Sequence, residues 1–120
     1  MTTTTDTKRK TADLIDRATE LLPASIRATW SDTCDPGDPW GDAMSHAFAL
    51  NDIAQLLGLA TDPTYRPAMG LSWACVAEEY PSAMYADDYH AGHITADDIA
   101  AAIPVLSTLL HGLELLGLSY

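Results

Sequence analysis

The chain has 120 residues, 48% of them apolar, with 17 acidic side chains against 6 Lys and Arg, a net charge of −11. That apolar content is enough for a folded core and excludes a fully disordered chain, and the length suits a single domain. The charge excludes direct nucleic-acid binding through a broad basic face.

In chain order, residues 1–10 (MTTTTDTKRK) are Thr-rich and then basic. Their composition predicts a disordered tail, followed by one helical domain over residues 11–120. They contain no apolar stretch of the kind a secretory signal needs, so a cytoplasmic protein is expected. From Thr11 to Leu22, the residues Leu14, Ile15, Ala18, Leu21 and Leu22 share one helical side, and Asp13, Asp16, Arg17 and Glu20 share the other. Asp13 and Arg17 stand at the spacing of an i,i+4 ion pair. Pro23 ends this helix, and a second short one, from Ala24 to about Ser31, presents Ile26 and Trp30 one turn apart.

Residues 32–41 (DTCDPGDPWG) carry two prolines and two glycines and read as a loop. Asp32, Asp35 and Asp38 recur there at intervals of three, a set that suits calcium in residue type but lacks the order and closing Glu of an EF-hand loop; helix-capping carboxylates are the simpler reading. A helix from Asp42 to Leu57 follows, closed by Gly58. Its core face is Ala43, Ala47, Leu50, Ala54 and Leu57, with His46 inside that face as a core histidine or an inward ligand. Met44, Phe48, Asn51 and Gln55 lie opposite. After a linker with a helical turn at Asp62-Pro63, Pro67 opens a helix to about Tyr80 whose stripe is Met69, Trp73, Val76 and Tyr80. Pro81 starts another, Ser82 to His90, which Gly92 ends. Cys34 and Cys75 match no zinc or redox spacing and read as reduced, small apolar residues.

The last helix is the one the others need. Thr95 is its N-cap, with Asp98 three residues on as capping-box partner and Asp97 beside it in the first turn, where the helix dipole favours negative charge. Ile99, Ile103, Leu106, Leu110 and Leu113 then recur at steps of three and four, widened by Ala102, Val105, Leu109 and Leu116. Pro104 predicts a kink. Leu115 and Leu118 break into the polar side, so the last turn needs cover from another segment or a second copy. Ile99 to Leu118 has the length of a membrane span, but Pro104, His111 and Glu114 interrupt it and no Lys or Arg anchors its ends; a core helix is expected, not a span. No stretch alternates with period two long enough for a strand. The fold expected is an all-α, single-domain bundle of five or six helices around a long, Pro-kinked, apolar C-terminal helix.

Charge distribution carries the functional reading. Past Arg66 there is no Lys or Arg, while Glu78, Glu79, Asp87, Asp88, Asp97, Asp98 and Glu114 are all negative. Six of these form three doublets at the junctions of the last three helices, an acidic ridge that imitates a phosphate backbone for a protein built to grip one. Solvation alone explains such acidity equally simply, since Asp outnumbers Glu 13 to 4 and Lys is scarce. A second candidate set is Asp87, His90 and His93, a carboxylate and two imidazoles of the type that hold zinc or non-haem metals, with His46 as an inward fourth group. Against it, Gly92 breaks the register and the Glu-x-x-His pattern of metal-binding bundles is missing. There is no nucleophile elbow, no cysteine with a histidine nearby and no phosphate-cradling loop, so a non-enzymatic protein without cofactor is expected. It would bind, and inhibit, a basic nucleic-acid-binding protein through that ridge. A metal-dependent enzyme or sensor is one alternative, and an assembly subunit that self-associates as a homodimer is another.

Overall fold

The computed structural model describes residues 3–33, 38–65, 72–79 and 81–118. Among them are six helices and no strand: α1 (Thr3–Leu21), α2 (Ala24–Thr33), α3 (Pro39–Leu56), α4 (Trp73–Glu78), α5 (Ser82–His90) and α6 (Ala96–Leu115). A single 3-10 turn, Pro63–Tyr65, lies in the α3–α4 connection. Cys34, Asp35, Arg66, Met69 and Tyr80 fall outside the described residues, as do the middle of the 32–41 loop and residues 67–71 of the helix expected from Pro67 to about Tyr80, whose described part is α4, N-capped by Ser72.

α6 is the axis of the bundle. Ile99, Ala102, Ile103, Leu106, Leu109, Leu110 and Leu113 are buried on it, α3 packs on it most extensively, and α1 and α2 also lie against it. Burying a Leu or Ile side chain fully contributes about 1.5–3 kcal/mol, so this face is the largest single source of cohesion. α6 is long and apolar enough to cross a membrane by length and composition; in this fold its apolar face is the wall against which α3 and α1 pack. The helix runs unbroken through Pro104. Pro104 and Ala100, whose carbonyl loses its donor, are both exposed, which keeps the lost hydrogen bond on the wet side.

α3 supplies the opposite wall with Ala43, Ala47, Leu50, Ile53 and Ala54, all almost fully buried; the alanines let α3 and α6 approach closely. Its start corrects the loop expectation. Pro39 to Gly41 are its first turn: Asp38 is the N-cap, its carboxylate accepts from the Gly41 N–H at 3.1 Å, and Pro39 sits at the first helical position, where a missing N–H costs nothing. At its end Gly58 takes φ +71°, and the Leu59 N–H reaches the Ala54 carbonyl at 2.8 Å, the Schellman closure that a positive φ allows.

Four further expectations are corrected. α1 begins at Thr3, not Thr11, so residues 3–10 are its first two turns and not a disordered tail. Lys8, Arg9 and Lys10 have good helix propensity. Asp6 lies in the first turn and meets Arg9 at 3.4 Å, the Thr11 hydroxyl donates to the Thr7 carbonyl at 2.7 Å, and Leu118 and Pro39 flank the segment. The Asp13–Arg17 pair is not among the ion pairs of the described residues. Asn51, placed by periodicity on the outer side of α3, is fully buried: its amide donates to the Ala47 carbonyl at 2.9 Å and its oxygen accepts from the Asp62 N–H at 2.7 Å. Asp62 accepts in turn from the Ser107 hydroxyl on α6, a donation that, with the Thr64 N–H, holds its carboxyl below the ordinary carboxylate range. Finally, Cys75 is exposed, not a small core residue.

Candidate functional site

α2 organises the polar chemistry of the molecule. Ile26 and Trp30 face the core, and the hydroxyl residue preceding each, Ser25 and Thr29, faces the α5–α6 junction. Ser25 donates to Asp98 Oδ2 at 3.0 Å, and Thr29 donates to Asp88 Oδ2 at 2.9 Å. Ser25 and Thr29 are one helical turn apart, about 6 Å of rise. Two of the three acidic doublets, separated by ten residues in sequence, are therefore drawn to one side of the fold by a single turn of α2.

The members of the two aspartate doublets divide between two jobs. Asp98 is structural: its carboxylate accepts from the Thr95 N–H at 3.1 Å, and Thr95 Oγ1 accepts from the Asp98 N–H at 3.2 Å, the complete capping box. Those backbone and hydroxyl donors hold the Asp98 carboxyl below its ordinary range, the Thr95 N–H contributing most. Asp88 accepts from Thr29 and lies 3.7 Å from the His93 ring. Asp87 and Asp97 are exposed. The third doublet, Glu78 and Glu79, closes α4 and is also exposed. It is held near the start of α5, because Trp73 at the other end of α4 stacks on Tyr89 (5.7 Å, 5° between planes) and packs against His90 (4.5 Å) at the end of α5. The glutamates thus sit toward the start of α5, while Ser25 and Thr29 draw Asp88 and Asp98 together near its other end.

Among the described residues, the arginine of α2 does not answer these carboxylates. Arg27, on α2, turns its guanidinium to the end of α1, where Nη2 donates to the carbonyls of Leu22 (2.9 Å) and Glu20 (3.0 Å). That satisfies carbonyls left open at a helix C-terminus and places a cation on the negative end of its dipole.

The alternative metal set does not assemble. Among the described residues no group of three His, Cys, Asp or Glu side chains could hold a metal ion. His93 approaches Asp88 rather than Asp87, and His90 is engaged with Trp73 and Tyr89. His46 is in the core, 2% exposed. Its Nδ1 and the Tyr85 hydroxyl are 2.7 Å apart, and its ring packs edge-on against Trp30 at 5.0 Å and Tyr85 at 5.5 Å. Burial disfavours the imidazolium and lowers the pKa from 6.5 to about 4, so His46 is a neutral hydrogen-bonding core residue at neutral pH.

Ser25, Thr29 and Asn51 are the polar residues that periodicity alone missed. A signal existed for the first two: hydroxyls spaced four apart, each directly before a core residue. For Asn51 the neighbouring linker supplies the partner, and nothing local announces it. No protein-family model, no curated protein and no solved structure matches this chain.

Proposed function

We propose that the protein is a non-enzymatic, cytoplasmic interaction protein that binds a basic, nucleic-acid-binding protein through the acidic line along α5 and blocks its nucleic-acid groove. The observation that carries this reading is the division within the doublets. Asp88 and Asp98 hold the fold together, while Glu78, Glu79, Asp87 and Asp97 face outward, and Arg27 is committed to the end of α1. The outer glutamates and aspartates are separated by roughly the length of α5, on the order of 12 Å, the axial span of three to four phosphates on one DNA strand. Carboxylates at that interval suit a row of Lys and Arg that otherwise holds phosphates, and association through them is fast and salt-sensitive.

The test is paired affinity capture from a lysate of the source organism, or of its host, with elution by a salt step. The wild type is one bait; the variant with Glu78→Gln, Glu79→Gln, Asp87→Asn and Asp97→Asn is the other. The reading predicts a basic protein retained by the first and lost from the second, displaced in turn by its own nucleic acid. Identical retention by the two baits would end it.

A further inference from the structure

A different face of the molecule is left unpartnered. α1 and α6 run antiparallel, and the seam between them opens into a groove lined by Leu14, Arg17, Leu21, Val105, Leu109 and Leu115. Leu14 seats deeply because Gly112 opposite has no side chain; a Cβ there would come within 3.1 Å of the Leu14 methyls. At the two ends of this groove stand the two most exposed large apolar residues of the described chain, Leu21 (62%) and Leu115 (75%). Alongside runs a stripe of exposed charges on α1, Lys10, Asp13, Arg17 and Glu20, at the 3-4-3 spacing of one helix face. None of the four side chains forms an ion pair within the described chain.

We infer that this groove is the dimer interface, and that its occupant is a second copy of the chain, seated about a two-fold axis with the two α1 helices antiparallel. The charges select one register. With the axis crossing the charged face at the level of residue 15, Lys10 faces Glu20 of the other copy and Asp13 faces its Arg17, and symmetry repeats both pairs. The same register settles the apolar residues. Gly112 lies level with Leu14, so Leu115, three residues on along an antiparallel helix, lies level with residue 11. The two-fold carries it to the level of residue 19, about 3 Å of rise from Leu21. The exposed leucine at each end of one groove therefore meets the other exposed leucine of the second copy, and the four helices close into an antiparallel bundle. Charge complementarity and apolar complementarity are independent features of the sequence, and one operator satisfies them both. This surface does not include the acidic line along α5, so a dimer leaves that line free.

Sedimentation equilibrium of the full chain over a range of concentrations, at low and high salt, tests the inference. The wild type is expected to dimerise, with weaker association at high salt. Leu21→Glu and Leu115→Glu, both at exposed positions, should each raise the dissociation constant at least tenfold while leaving the thermal unfolding of the monomer intact. Arg17→Asp or Asp13→Arg alone sets like charges against each other twice per dimer and should weaken it about tenfold. Combining Asp13→Arg with Arg17→Asp restores opposite charges in this register and should return affinity to within about threefold of wild type. A monomeric wild type at the highest concentrations overturns the inference, as does a combined charge swap no tighter than the single ones.

Discussion

The two polar regions of this protein differ in whom their groups serve. Around α2 and the core, polar atoms answer one another within the chain: His46 with Tyr85, Ser25 with Asp98, Thr29 with Asp88, Trp30 Nε1 with the Thr19 hydroxyl at 2.9 Å. Along the outer edge of α5 and on the open face of α1, the charged groups find no such partner among the described residues. The contrast runs even between sequence neighbours, Asp87 beside Asp88 and Asp97 beside Asp98. A carboxylate next to a buried hydroxyl becomes part of the fold, and its neighbour, a third of a turn away, is left to solvent or to another molecule.

The largest expected effect lies in the inner region and comes from pH. His46 has a folded pKa of about 4 against 6.5 unfolded. Between those values the unfolded chain binds the extra proton, so stability is complete above pH 6.5 and falls as pH drops toward 4, by about 3 kcal/mol in all. Denaturant unfolding at a series of pH values measures this, and His46→Gln should remove the slope in that window. A slope unchanged in the variant would assign it elsewhere. Next come the inner carboxylates. Asp98→Ala removes the capping box and the acceptor of the Ser25 hydroxyl, and Asp88→Ala removes the carboxylate that accepts from the buried Thr29 hydroxyl; each should cost about 1–2 kcal/mol. Asp98 and Asp62, whose carboxyls are held low by donated hydrogen bonds, add stability that is present above the ordinary carboxylate pKa and is lost only below it, in a more acidic window than that of His46. The smallest effect belongs to the outer members: Asp87→Asn and Asp97→Asn should change stability by no more than about 0.5 kcal/mol. If the inner and outer members of a doublet proved equally costly, the division between them would fail.

Much of this architecture is legible in the sequence for definite reasons. α6 announces itself through a capped start and a sustained 3.6-residue apolar period, α5 through Pro81 and Gly92, and the core position of His46 through its alanine and leucine neighbours. The first turns of α1 were not legible, because a Thr-rich, charged segment has little apolar periodicity; its helix rests on local pairs and on Leu118 and Pro39 beside it. The acidic doublets were visible as a pattern, but not their division of labour, since the hydroxyls that claim Asp88 and Asp98 lie 59 and 73 residues away in sequence. Neutralising all four aspartates together would therefore confuse loss of fold with loss of recognition, whereas the outer set separates them.

Recognition and solvation are separated by the paired capture with wild type and the Glu78→Gln, Glu79→Gln, Asp87→Asn, Asp97→Asn variant, once the two show matching thermal unfolding. A basic nucleic-acid-binding protein held by the wild type, released by moderate salt and absent from the variant is the predicted result. The same proteins on both baits, or none that salt releases, would contradict the account and reduce the outer carboxylates to solvation.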